Sequence, residues 1–173
     1  MAQPLNRYKA DLREIEFLLF EQLGLGDLLG KAPYEAFDEE TAKTVLEEIY
    51  KFATTVTGPY NGTGDVEGCK LVDGRVKTPT GFKDAWKKLY EAGWKALAVP
   101  AEFGGQGAPR TLQAIGEEML SGSNTAWNMY SGLTLGAAEV VAHFGTDRQK
   151  KLFASRMFQG EFAGTMCLSE PQA

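Results

Sequence analysis

The chain has 173 residues, 43% of them hydrophobic, which is enough for one domain to bury a core without disulfide or metal staples. Its 18 Lys and Arg against 23 Asp and Glu give a net charge of -5 with no dense basic run, which argues against nucleic-acid binding. One histidine and two cysteines, Cys69 and Cys167, are too few for a Cys/His zinc site or a disulfide framework.

The first fourteen residues and one uncharged stretch indicate which cellular compartment the protein is expected to occupy. Residues 1–14 carry several charges and lack the apolar core of a signal peptide, so we expect a reducing, cytoplasmic compartment. The twenty residues from Met119 to Ala138 have the length of a membrane span, but ten of them are Gly, Ser, Thr or Asn. This composition predicts a helix buried inside protein and no integral membrane segment.

Taken in chain order, the first half predicts two helices, a turn and a hairpin. Apolar residues at helical spacing predict an amphipathic helix over Leu12–Leu23 and a second helix from the N-cap Asp38 to Thr57. Residues 58–68 are rich in turn formers, and the likeness of Gly62-Thr63-Gly64 to a phosphate loop is superficial, so we expect a turn. Asp73-Gly74 then predicts a short surface hairpin.

The second half predicts more helices and a final strand. A third helix begins near Phe82 and ends at Gly93, followed by the apolar run Trp94–Val99 and a Pro/Gly loop. Two further helices, Arg110–Leu120 and Ser123–Phe144, are predicted with a break at Ser121-Gly122. The capping box of Thr146 and Gln149 predicts another helix, ending at Gly160, and Phe162–Leu168 predicts a strand.

That last strand has no obvious partner. An isolated strand cannot pair its backbone, and the only other strand signal is the hairpin far upstream. We therefore expect its sheet to lie in sequence beyond this chain, and the chain to be the front portion of a longer protein.

Few side chains stand out as sites. His143 lies near a helix end, where a structural role is favoured. The acidic doublets, Glu117-Glu118 among them, point to different sides of their helices and predict solvated faces. The helix over Ser123–Phe144 combines small residues with large apolar ones, which fits either core packing or the wall of a ligand pocket.

Five segments of the chain follow one another in a recognisable order and spacing. They are Gly93-Trp94 through Val99-Pro100, Glu102-Phe103-Gly104-Gly105-Gln106-Gly107, Glu117-Glu118, Phe144-Gly145-Thr146 with Gln149-Lys150, and Met166-Cys167-Leu168-Ser169-Glu170-Pro171-Gln172-Ala173. Together they resemble the acyl-CoA dehydrogenase family. Residues 8–13, 59–69 and 80–83 resemble its subgroup with an extended N-terminus, which includes methylmercaptopropionyl-CoA dehydrogenases.

The resemblance implies a mainly α chain within a larger fold of three domains. In the family an N-terminal helical domain precedes a small β-barrel domain and a C-terminal four-helix domain. Residues 1–35 would be an N-terminal extension with an amphipathic helix, 36–160 the helical domain, and 161–173 the first strand of a truncated β-barrel domain.

The resemblance also implies the chemistry, which is FAD-dependent α,β-dehydrogenation of an acyl-CoA thioester to the trans-2-enoyl-CoA. The family's catalytic Glu lies in the C-terminal domain, so no catalytic residue is assigned here and this portion alone is expected to be inactive. The implied flavin contacts are Met166, Leu168 and Ser169, the last standing where a Thr is usual. The implied acyl-pocket residues are Trp127, Tyr130, Ser131, Thr134 and Leu135, with Trp127 expected to narrow the pocket.

The implied partners are an acyl-CoA substrate, an electron-transfer flavoprotein, and further copies of the full-length chain in a homodimer or homotetramer. Two other functions stay open at this point. One is a non-catalytic helical interaction module without cofactor, and the other is an oxidase or monooxygenase that shares the fold.

Overall fold

A computed structural model describes residues 5–165, 167 and 169–172. Helix α1 (Leu12–Glu16) continues into a π-helical segment, Phe17–Gln22. Helix α2 (Glu39–Phe52) likewise continues as a π-helical segment, Ala53–Thr57, and the Asp38 carboxylate accepts a hydrogen bond of 2.7 Å from the Thr41 N–H. Both predicted helices and the Asp38 cap are confirmed.

The turn predicted over residues 58–68 is wrong, because these residues form helix α3 (Pro59–Glu67). Pro59 occupies the first helical position, where its missing N–H costs nothing. Gly64 is buried, and a Cβ on it would lie 2.6 Å from the Phe82 ring, so the helix packs at close range where a glycine is needed. Tertiary packing has overridden the low helix propensity of the glycines.

The predicted hairpin is confirmed as strands β1 (Lys70–Val72) and β2 (Arg75–Lys77), paired antiparallel with Leu71 opposite Val76. Asp73 and Gly74 both have positive φ, at 50° and 73°, as the tight hairpin turn requires. Both strands are exposed along their whole length.

Helix α4 (Phe82–Glu91) is followed by Gly93 in the left-handed conformation, with φ of 73°, and the predicted third helix is confirmed. Two short 3-10 turns come next, Trp94–Ala96 and Ala101–Phe103. They carry the chain to the first residue of the longest helix.

The two helices predicted here are confirmed as the two halves of the kinked helix α5 (Arg110–Phe144), but the break between them lies at Asn124 instead of Ser121-Gly122. Gly122 stays helical, and its missing Cβ makes room for the Tyr8 ring, which would be 2.6 Å away. Asn124 leaves the helical region at φ -160° and ψ 83°.

The chain ends in helix α6 (Asp147–Gln149), a π-helical segment Lys150–Ala154, and helix α7 (Ser155–Phe158). Thr146 and Gln149 form the predicted capping box, with the Thr146 N–H donating to Gln149 Oε1 at 2.8 Å. Gly160 ends the helix with φ of 75°.

The predicted strand over Phe162–Leu168 is not formed at the described positions of that segment, 162–165 and 167, which have no strand pairing. A strand exists only through the hydrogen bonds of a neighbour. The described sheet is the two-stranded hairpin, and it does not reach this segment.

The core consists of three apolar clusters, and α5 contributes to all of them. Its first half packs on α1 and α2 through Leu112, its middle joins α4 through Leu120 and Trp127, and its second half meets α7 through Ala138. The mainly helical fold is therefore organised around α5, which also carries the candidate pocket residues.

Candidate functional site

The kink of α5 is built from side chains. Asn124 Oδ1 accepts a hydrogen bond of 3.2 Å from the Trp127 N–H, as an N-cap does, so the second half of α5 begins like a new helix. Asn124 Nδ2 donates to the Thr57 carbonyl at 3.2 Å, and the Thr57 and Ser123 hydroxyls lie 2.6 Å apart. These contacts fix the candidate segment against the end of α2.

Trp127 lies in the core and is 1% exposed. Its indole N–H donates to the Phe82 carbonyl at 3.1 Å, and its ring meets Trp86 edge-on with 6.3 Å between centroids. In the structure Trp127 is therefore a core residue whose indole N–H has a hydrogen-bond partner.

Tyr130 lies one turn further on and is 43% exposed. Its ring contacts Phe82 and Trp86 edge-on, and its hydroxyl lies 3.4 Å from the Cys69 thiol at the base of the hairpin. The hydrogen bond with Cys69, followed by burial, raises the pKa of Tyr130 to about 12. A cavity of about 390 Å³ opens beside it, lined by Ala126 and small residues of α3.

The other three candidates face a different region. Ser131 is buried and donates to the Asn128 carbonyl at 2.9 Å. Thr134 is buried as well, and its hydroxyl accepts a hydrogen bond of 3.1 Å from the Gly164 N–H, which ties the end of the chain to α5. Leu135 lines a second cavity, of about 810 Å³, next to the 3-10 turns. The five candidates thus share one helix but fall into two groups.

Of the three residues predicted to contact the flavin, the structure describes one. Met166 and Leu168 lie outside the described residues, whereas Ser169 is described and exposed. The hydrogen bond from the Gly164 N–H to Thr134 holds the chain to α5 five residues before Ser169. The exposed Ser169 hydroxyl has the chemistry of a hydrogen-bond donor to a flavin.

The sequence does not predict an ion pair between the buried Lys95 and Glu117, whose side chain is 29% exposed. Lys95 is 1% exposed, and its ammonium donates to both Glu117 carboxylate oxygens at 2.6 and 2.8 Å and to Asn128 Oδ1 at 2.8 Å. Gln113 Nε2 donates to the same carboxylate at 3.0 Å. The prediction of a solvated face is therefore wrong for Glu117, whose partner comes from a turn 22 residues earlier.

The surroundings shift the proton affinities of this cluster. Burial lowers the pKa of Lys95, and the Glu117 charge opposes that effect. Burial, with a further contribution from Glu117, raises the pKa of Tyr90 to about 12. One signal could have pointed to the cluster, because Lys95 is the single charged residue in the apolar run Trp94–Val99.

An exposed apolar stripe covers the second half of α5. Met129, Leu133, Val140 and Phe144 share one side of the helix and are all exposed. A Cβ on Gly132 or Gly136 would meet nothing within 4 Å, so the glycines leave shallow gaps along the stripe. Core packing is one of the two roles that the sequence predicts for this helix. Met129 and Leu133 do not have that role, because both are exposed.

Two further findings concern the described part of the chain. Its Cys, His, Asp and Glu side chains form no group of three that could hold a metal ion. None of its helices has the length and apolar character needed to cross a membrane. His143 is exposed, with Nδ1 at 2.9 Å from the Glu139 carbonyl, as a structural role requires.

Fold and side chains define a mainly helical domain built around one long kinked helix. A family model described as "Acyl-CoA dehydrogenase, N-terminal domain" matches residues 39–161. The chain therefore belongs to the acyl-CoA dehydrogenase family and represents its N-terminal domain.

Curated relatives agree with this assignment. The chain is 32% identical over 166 residues to the 3-methylmercaptopropionyl-CoA dehydrogenase of Ruegeria pomeroyi, covering 96% of this chain and 28% of the relative. It is 31% identical over 175 residues to the broad-specificity linear acyl-CoA dehydrogenase FadE5 of Mycobacterium tuberculosis, covering 98% and 28%. It is 32% identical over 176 residues to a butyryl-CoA dehydrogenase of Syntrophomonas wolfei, covering 97% and 28%. The chain spans about 28% of the length of these relatives.

Proposed function

We propose that this chain is the N-terminal part of an FAD-dependent acyl-CoA dehydrogenase that converts an acyl-CoA thioester to the trans-2-enoyl-CoA. The observation that carries the proposal is the family match over residues 39–161, supported by relatives named as acyl-CoA dehydrogenases along nearly the whole chain. Residues 1–35 would be an N-terminal extension, 36–160 the helical domain and 161–173 the start of a β domain.

The share of this chain is to build one wall of the acyl pocket. The five proposed wall residues all lie on the second half of α5, with Trp127 and Tyr130 beside α4 and Ser131, Thr134 and Leu135 further along the helix. Trp127 and Ser131 are buried, and Tyr130 keeps an exposed edge. An apolar wall excludes water from the reacting thioester, which strengthens every electrostatic interaction in the site. The hydroxyls of Ser131 and Thr134 form hydrogen bonds with backbone groups, so they would not present unpaired polar groups to the acyl chain.

The flavin would be contacted by Met166, Leu168 and Ser169. When bound, FAD supplies the acceptor for the hydride that leaves the β carbon. The exposed Ser169 hydroxyl would donate a hydrogen bond to it. The base that removes the α proton would come from sequence outside this chain, so residues 1–173 alone would not turn over.

The remaining parts of the proposal follow from the family alone. Electrons would pass to an electron-transfer flavoprotein, the full-length enzyme would be a homodimer or homotetramer, and it would work in the cytoplasm. No described residue argues for one acceptor over another.

The proposal is tested with the full-length protein loaded with FAD. Anaerobic addition of butyryl-CoA, octanoyl-CoA or methylmercaptopropionyl-CoA should yield the matching enoyl-CoA, identified by mass spectrometry. Oxygen consumption, measured with and without an artificial electron acceptor, separates a dehydrogenase from an oxidase or monooxygenase. A protein that binds no FAD would instead be a helical interaction module.

A further inference from the structure

The orientation of the candidate pocket wall depends on side chains at the kink. Asn124 leaves the helical conformation, so the hydrogen-bond ladder of α5 does not run evenly through this point. The two halves of α5 can keep a fixed angle only if other contacts hold them.

Lys95 makes such contacts with both halves at once. Its ammonium donates to Glu117, in the first half, at 2.6 and 2.8 Å, and to Asn128, in the second half, at 2.8 Å. Asn128 Nδ2 donates back to Glu117 Oε2 at 3.1 Å and to Ser121 Oγ at 2.8 Å. The hydrogen bonds close into a ring that spans the kink.

The ring is directly connected to the candidate wall. Asn128 follows Trp127 in sequence, and its carbonyl accepts the hydrogen bond of Ser131. Thr134 and Leu135 lie one turn further along the same helix. A movement of Asn128 therefore moves the whole segment that the proposed function assigns to the acyl chain.

We propose that Lys95 is a positioning residue that, through Glu117 and Asn128, sets the angle of the second half of α5 and thereby the acyl-chain preference of the enzyme. The inference rests on the proposed function. Lys95 touches no substrate in this arrangement, since its ammonium is fully engaged by the ring.

The choice of an ion pair supports this role. Apolar residues of similar size commonly give at least equal stability at a buried position, so burying the Lys95 charge beside the partly exposed Glu117 is a poor device for stability alone. Charged hydrogen bonds are, however, directional, and here they define a geometry between three separate segments. The hydrogen-bonded ring therefore contributes a fixed geometry between the two halves of α5.

The test compares variants of the full-length, FAD-loaded enzyme. Asn128→Ala cuts the link to the second half and leaves the Lys95–Glu117 pair in place. Lys95→Met with Glu117→Gln removes both charges together, so that no partly buried carboxylate is left without its cation. This double variant replaces Lys95→Met if that single variant fails to fold. Lys43→Met, which removes the exposed Lys43–Glu39 pair of 2.7 Å, is the matched control.

Two quantities are measured for each variant. The first is the ratio of kcat/KM for octanoyl-CoA over butyryl-CoA, and the second is the amide hydrogen exchange of residues 125–135. We expect Asn128→Ala and the double variant to change the ratio about fivefold or more and to speed exchange in that segment. The Lys43→Met control should leave both quantities unchanged.

A purely structural role would lower stability and activity on both substrates equally. An unchanged ratio in active variants therefore overturns the positioning role while the proposed function stands. A wild-type enzyme that oxidises no acyl-CoA overturns the proposed function, and the specificity claim falls with it.

Discussion

Tyr90 has a buried hydroxyl with no hydrogen-bond partner in the described part of the chain. A buried hydrogen-bond donor without a partner lowers the stability of the folded state. Replacing the Tyr90 hydroxyl with a hydrogen atom therefore removes no hydrogen bond. We expect Tyr90→Phe in the full-length protein to keep or raise the free energy of unfolding at neutral pH, by up to about 1 kcal/mol. Urea unfolding measures the change, and a loss of stability would show that the hydroxyl has a partner.

The same residue gives a prediction on pH. The pKa of Tyr90 is raised from 10.0 to about 12, so the stability linked to its protonated form is complete below pH 10 and is lost as pH rises to 12. Over that interval we expect Tyr90→Phe to lose less stability than the wild-type protein. Equal losses in the two proteins would contradict the raised pKa.

Trp127 supports a prediction on substrate choice. We expect Trp127→Ala in the complete enzyme to shift the ratio of kcat/KM toward longer acyl-CoA chains, because the proposed pocket wall loses its largest side chain. The truncation should also cost about 3–5 kcal/mol of stability, since Trp127 is buried among aromatic rings. Trp86→Ala, in the same cluster, should cost stability without the shift. An unchanged ratio in Trp127→Ala would remove this residue from the pocket.

Residues whose partners are close in sequence could be predicted, and others could not. The Asp38 cap follows from the acidic first turn and the apolar helical spacing after it, the Thr146 cap follows from Gln149 three residues on, and both are confirmed. The partner of Lys95 lies 22 residues away, and only the fold brings the two together. A charge inside an apolar run signals that such a partner exists without identifying it.

Among the helices, α3 offers a matched pair of glycines. A Cβ on Gly62 would meet nothing within 4 Å, whereas one on Gly64 would lie 2.6 Å from the Phe82 ring. We expect Gly62→Ala to stabilise the protein by about 0.5–1 kcal/mol, because alanine favours the helix, and Gly64→Ala to destabilise it by about 1–3 kcal/mol through overpacking. Thermal unfolding measures both. Equal effects would show that α3 does not pack on α4 in this way.

The same helix shows why element prediction failed in one place. Glycines and Asn between residues 58 and 68 favour a turn when only the local sequence is weighed. Gly64 is instead the close-contact residue of a packed helix, which no local pattern reveals. The break in α5 was expected two residues early for a related reason, since Gly122 accommodates Tyr8 and Asn124 makes the cap.

For the molecule as a whole, the exposed stripe of α5 leads to a prediction on association in solution. Contiguous exposed apolar side chains promote association. We expect the polypeptide of residues 1–173 to self-associate, and Phe144→Glu, together with Val140→Glu, to reduce that association. Val66→Glu replaces an equally exposed apolar residue away from the stripe and is the control. Light scattering measures the average mass of the particles in solution. Equal masses for all variants would contradict a role for the stripe in self-association.

The helical class and the family follow from patterns spread along the chain, and both are confirmed. The candidate site is harder to predict because its parts come from separate elements. Trp127 and Tyr130 meet α4, whereas Thr134 meets the segment after α7. The predicted strand over Phe162–Leu168 is not formed at its described positions, because a local pattern does not supply the neighbouring strand that it needs.

The most direct test of the central claim is anaerobic titration of the full-length, FAD-loaded protein with straight-chain acyl-CoA, following the visible absorption of the flavin. We expect the absorption to bleach as the flavin is reduced, with one enoyl-CoA formed per flavin. A flavin that keeps its colour with every acyl-CoA in the series would contradict the assignment of this domain to an acyl-CoA dehydrogenase.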